Sequence, residues 1–121
     1  MTPGMTSGSD GSSELTGVAS QSDVVAYQAG AVVSRTLIKS PGGTVTAFAF
    51  DAGEGLSEHT APFDALVLMI EGEAEISISA NPHHLRGGDL LKLPARQPHA
   101  VRAITRFKML LVMIKSLEPA A

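Results

Sequence analysis

Glu73-Ala74-Glu75-Ile76-Ser77-Ile78-Ser79 alternates polar and apolar residues without a break. Successive side chains of an extended strand point to opposite faces, so Ala74, Ile76 and Ile78 share one face and the polar residues the other. Outward from this stretch, the segments 32–39, 44–51, 65–71, 73–80, 89–94, 99–105 and 107–115 all read as short strands. Pro41-Gly42-Gly43, Gly53-Glu54-Gly55, Asn81-Pro82 and Gly87-Gly88 supply the turns between them. No segment holds a capped helical apolar period, so the expected fold is all-β, an antiparallel sandwich or barrel. The runs 65–70 and 109–114 are apolar on both faces. With no helix to cover the second face, a second subunit is the expected cover, which predicts a homodimer with Leu68 and Leu110 facing outward.

Composition narrows the function. A chain of 121 residues with 44% hydrophobic residues makes one domain with a core. Zero cysteines exclude disulfides, thiolate metal sites and cysteine nucleophiles. A net charge of −3 and 4% aromatic residues argue against a nucleic-acid partner. No apolar run approaches the roughly 20 residues of a membrane span. The start of the chain lacks the basic and apolar regions of a signal peptide, so the expected location is cytoplasmic. Residues 1–22 are dominated by Ser, Gly and Thr and are expected to form a disordered tail whose removal leaves stability unchanged; the domain is expected over 23–117.

Gly53, His59 and Gly72 keep one spacing, and Gly88, Pro94 and His99 keep a second. On these residues the chain resembles the cupin family. Its first motif runs Gly, five residues, His-x-His, three or four residues, Glu, six residues, Gly; its second runs Gly, five residues, Pro-x-Gly, two residues, His, three residues, Asn. The resemblance covers residues 31–115 and implies a single jelly-roll barrel, the double-stranded β-helix. It departs where the family keeps its chemistry: the second His is Ala61, the Glu is Ala65, the Gly of Pro-x-Gly is Arg96 and the Asn is Ala103. Of the family's usual three His and one Glu, His59 and His99 remain.

The resemblance implies that His59 and His99 converge in one cavity, lined by the same-parity residues Ala61, Ala65, Val67, Met69, Val101 and Ala103. Such a cavity suits a small organic ligand, with a weakly held divalent transition metal (Zn, Fe, Mn or Ni) on the two imidazoles. Asp64 completes a metal triad only if the chain bulges near Pro62, because strict alternation turns it away from Ala65. A metal-dependent enzyme of dioxygenase, isomerase or decarboxylase type and a structural dimer with an inert barrel remain open beside the binding reading. His83 and His84, adjacent on a strand, face opposite ways and read as surface residues. Charge is segregated: residues 51–75 hold seven acids and no base, while residues 86–115 hold seven bases against Asp89. Cross-strand pairing accounts for this, and an anion site on the basic half, with Arg96 at the barrel mouth, is the alternative.

Overall fold

The computed structural model describes residues 14–115. Among them, the alternating segments form nine strands: β1 (Val32–Ser40), β2 (Gly43–Phe50), β3 (Gly55–His59), β4 (Asp64–Glu71), β5 (Glu73–Ile78), β6 (Asn81–Arg86), β7 (Leu90–Leu93), β8 (His99–Ala103) and β9 (Phe107–Ile114). They pair antiparallel into a five-stranded sheet, in the order β1-β2-β9-β4-β7, and a four-stranded sheet, β3-β8-β5-β6. The two sheets bury their inner faces against each other as a jelly-roll barrel, as the alternation and the motifs imply. No helix among the described residues is long and apolar enough to cross a membrane.

The barrel is closed at one end and open at the other. At the closed end Phe50 and Phe107 stack with ring centroids 4.4 Å apart and 9° between planes, both fully buried. Val67, Met69, Ala74, Ile76, Ala103 and Met109 complete this floor. Burial then fades along each strand. In β9 the inward row passes from buried Phe107 and Met109 to half-buried Leu111 and Met113; in β8 it passes from buried Ala103 and Val101 to half-buried His99. The open end is therefore where His99 stands.

Two strands, β3 and β6, lie outside the segments whose alternation reads as strand, although His83 and His84 of β6 are read as strand neighbours. Both are edges of the four-stranded sheet, with one ladder each and mostly exposed residues, so no apolar alternation marks them. Pro82 is tolerated in β6 because an edge strand leaves the amide that proline lacks without a ladder partner. The expected turn at Asn81-Pro82 moves to Ser79 and Ala80, which hold φ of 49° and 69° and close a two-residue hairpin.

Part of the segment expected as a tail is described. Residues 1–13 lie outside the described residues, as do 116 and 117 at the far boundary; of residues 14–22, Leu15 and Ser22 touch the outer face of the larger sheet, while residues 16–21 are exposed. Leu15 donates its amide to the Leu37 carbonyl at 3.0 Å, and Lys108 Nζ donates to the Ser22 carbonyl. Leu15, Val24, Val25 and Tyr27 pack there on Leu37, Ala47, Ala49 and Leu110. Of these anchors only Leu15 falls within residues 1–22; Val24, Val25 and Tyr27 lie inside the expected domain. The strap leaves the rest of that face bare: Leu66, Leu68, Ile70 and Val112 are half-buried, and Leu90 and Ile114 are 63% and 62% exposed.

Candidate functional site

A bulge builds the histidine pair. Leu56 stands opposite Val101 across β3 and β8, so an unbroken antiparallel register would bring Glu58 opposite His99. The register shifts between Leu56 and His59, and His59 takes that position instead. One extra residue on an edge strand thus re-aims the side chain, a common use of bulges beside binding sites. The two imidazoles meet edge to face, centroids 4.3 Å apart and planes at 67°.

Their hydrogen bonds assign the tautomers. His59 Nδ1 lies 3.0 Å from the Ser57 carbonyl oxygen, and His99 Nδ1 lies 3.4 Å from that of Gln97. A carbonyl only accepts, so Nδ1 donates in each ring and, in the neutral form, Nε2 keeps a lone pair for an incoming group. Burial holds the His99 pKa below the ordinary histidine value, with the neighbouring charge of His59 adding to the effect; the Gln97 carbonyl opposes both.

Around the pair, the loops are tied together. The Arg96 amide donates to the Ala61 carbonyl at 2.7 Å, joining the loop after β7 to the loop after β3. Ser79 Oγ donates to Gln97 Oε1 at 3.3 Å. Arg96 holds φ of 67°, left-handed backbone that is costly for a side-chain-bearing residue.

The expected pocket residues separate into two groups. Val67, Met69, Val101 and Ala103 are 0%, 4%, 6% and 2% exposed and belong to the floor, where they pack against other core residues. Ala65 and Ala61 lie nearer the mouth: Ala65 stands opposite Met113, and Ala61 is half-buried. The inward residues that remain half-buried at the mouth are Thr36, Thr46, Ile78, Leu111 and Met113, which the sequence reading left out. Their signal was present as alternation: in Thr44-Val45-Thr46 the threonines share the inward parity of Phe48 and Phe50.

Asp64 does not join the histidines. It stands opposite Ile114 on the outward row, and its Oδ1 accepts the Ala95 amide at 2.8 Å. No group of three His, Cys, Asp or Glu placed to hold a metal occurs among the described residues. A transition metal with open positions ordinarily takes three protein ligands, so the donor set here does not fit a resident metal cofactor. His83 Nδ1 lies 3.3 Å from the Ile76 carbonyl, while His84 Nε2 pairs with Glu73 Oε1 at 3.1 Å. Neither approaches the site.

The family model of the Cupin domain matches residues 47–115. The chain belongs to the cupin family. Its solved relatives include a conserved protein of unknown function from Streptococcus pyogenes, 33% identical over 89% of this chain and 92% of that one, with a TM-score of 0.79. A cupin superfamily protein from Desulfitobacterium hafniense is 31% identical over 79% and 87%, with a TM-score of 0.75. A Cupin 2 conserved barrel domain protein from Leptotrichia buccalis is 40% identical over 78% of this chain and 46% of that one, also at 0.75. None of the curated proteins matches the chain. On the motif spacings that carry the resemblance, His59 and His99 stand where the family has histidines, and Ala61 and Ala65 stand where it has a second His and a Glu.

Proposed function

We propose that this cupin is a small-molecule-binding protein whose ligand enters the open end of the barrel and meets Nε2 of His59 and His99. The observation that carries the reading is the pair itself: two imidazoles 4.3 Å apart at the mouth, each with Nδ1 engaged by a backbone carbonyl. A neutral pair of this kind accepts from a hydroxyl or amine on the ligand, and the half-buried Ile78, Leu111 and Met113 offer an apolar wall. The alanines at 61 and 65 favour an organic occupant over a tightly bound ion, because they add room and remove donors.

The outer face of the larger sheet supports, in addition, a homodimer. Leu68 stands opposite Leu110 on the outer face of the larger sheet, beside half-buried Leu66 and Val112 and exposed Leu90 and Ile114. A contiguous apolar patch of this kind is seldom left open on a monomer.

Native mass spectrometry of the purified protein, followed by nitrogen-15 spectroscopy of its imidazoles against a library of small organic compounds, tests the site. The reading expects ligands that shift both Nε2 signals and lose binding in His59→Ala and His99→Ala. Ligands that bind unchanged in both variants would refute it.

A further inference from the structure

The basic side chains of this molecule are divided by their position along the barrel. Away from the mouth most are engaged, the exception being Lys92, exposed on the outward row of β7 opposite Leu66. Arg102 pairs with Glu75 at 3.1 Å, Arg106 with Asp51 at 2.9 Å and Arg86 with Glu73 at 3.8 Å, and Lys108 donates to the Ser22 carbonyl. These contacts absorb much of the segregated charge of residues 51–75 and 86–115. At the mouth the situation differs. Lys39, Arg96 and Lys115 have no carboxylate within ion-pair distance among the described residues.

Their placement follows from register. Lys39 stands opposite Thr44, and Thr44 opposite Met113, so all three share the inward row nearest the opening. Lys115 continues the row of Leu111 and Met113; its amide donates to the Gly42 carbonyl at 2.9 Å, and its ammonium lies 5.9 Å from the centre of the Phe63 ring. Arg96 is held beside Ala61 by the 2.7 Å backbone bond that joins the two rim loops. The acids of this end are Glu58, exposed on β3, and Asp64, with one oxygen given to the Ala95 amide. Three cations therefore come from the strands and loops of the open end, Lys39 and Lys115 on the side of β1, β2 and β9 and Arg96 on the loop beside Ala61. The inward residues there are Ile78, Leu111 and Met113 and the two imidazoles.

We propose that the mouth takes a small organic carboxylate: its charge meets the rim of Lys39, Arg96 and Lys115, and its apolar body lies on Ile78, Leu111 and Met113 toward His59 and His99. A single layer of cations above an apolar wall suits an amphipathic monoanion better than inorganic phosphate, which needs donors on every side. The planar guanidinium of Arg96 matches a carboxylate in two-point contact. The left-handed backbone at Arg96 is consistent with a functional side chain at a place where glycine would be less strained. This inference rests on the binding-site reading above and adds the charge and class of the ligand.

The test titrates the full chain with hexanoate, with 1-hexanol as the uncharged analogue and with inorganic phosphate, reading the imidazole nitrogen-15 signals. Hexanoate is expected to bind more tightly than hexanol by about fivefold, the scale of two exposed charge contacts, and the advantage should shrink in high salt. In Lys39→Gln/Arg96→Gly/Lys115→Gln the advantage should vanish while hexanol binds as before. Glycine accepts the backbone conformation at position 96, and the salt dependence of the unaltered protein provides a test that needs no variant. Equal binding of hexanoate and hexanol, salt-independent preference, or phosphate binding as tightly as hexanoate would each overturn the carboxylate assignment while leaving the pocket. If neither hexanoate nor hexanol moves the imidazole signals, the pocket itself fails and the assignment fails with it.

Discussion

Replacing Gly72 by alanine should be among the most damaging single changes in this barrel. Gly72 holds φ of 83°, and a Cβ there would collide with the Arg106 carbonyl oxygen and lie 2.6 Å from Phe107 Cβ and 2.7 Å from Phe107 Cα. Phe107 cannot yield cheaply, since it is fully buried and stacked on Phe50. Left-handed backbone costs an L-residue about 1–2 kcal/mol, and forced overpacking about 1–3 kcal/mol more. Alanine returns about 0.4–1 kcal/mol by restricting the unfolded chain, so the net loss is about 2–4 kcal/mol. Against a total stability of about 5–15 kcal/mol that is a large fraction, and at about 4–8 °C per kcal/mol the midpoint should fall by roughly 10–30 °C. Gly88 is the control: its φ is 96°, but nothing lies within 4 Å of a Cβ there. Gly88→Ala should therefore cost only about 0.5–1 kcal/mol, the backbone term less the entropy gain. Urea unfolding of the two variants beside the parent measures both terms. Equal losses in the two variants would show that the collision with Arg106 and Phe107 is absent, and that the closed end is packed otherwise than described.

The depressed pKa of His99 has a pH signature: the unfolded chain binds this proton more readily, so stability is complete above about pH 6.5 and declines as pH falls through the folded value. Urea melts at pH 7.5 and 5.5 should show a smaller loss in His99→Asn than in the parent; an equal loss would remove His99 as the source. Ala61→His with Ala65→Glu restores the family's ligand types on one rim, and zinc affinity measured by competition with a chelator should rise by more than about tenfold, because four protein donors then replace two; no change would mean that positions 59, 61, 65 and 99 do not converge. Leu68→Glu should shift the sedimentation profile from dimer to monomer while circular dichroism stays unchanged, and a parent that sediments as a monomer at micromolar concentration would refute the dimer. Removal of residues 1–22 takes away the Ser22 carbonyl that accepts from the buried Lys108 ammonium, so it should destabilise by about 1.5–3 kcal/mol; an unchanged midpoint would show that residues 14–22 contribute nothing to the folded state.

Much of the barrel was legible in the chain because its interior strands bury one face. The alternation of 73–79 placed Ala74, Ile76 and Ile78 inward, and the apolar runs 65–70 and 109–114 became β4 and β9, central in the larger sheet. The motif spacings singled out His59 and His99 as a pair, and the structure brings their rings together. The edge strands β3 and β6 left no such trace: exposed residues are not constrained by burial, so their pairing is carried by backbone hydrogen bonds that any side chain permits.

Three matters were decided only by the tertiary structure. The bulge in β3 sets His59, rather than Glu58, opposite His99, and it depends on how an edge strand meets its neighbour. The depth of each inward residue depends on which end of the barrel closes. Parity alone put Val67 and Ala103 in the same class as His99, yet the Phe50–Phe107 stack seals one end and leaves the other open. Lys39, Arg96 and Lys115 were brought to the open end from three distant segments. Local periodicity records which face of a strand is dry, because burial acts on each residue alone. The distance between residues far apart in the chain is set by register and closure, which belong to the sheets as a whole.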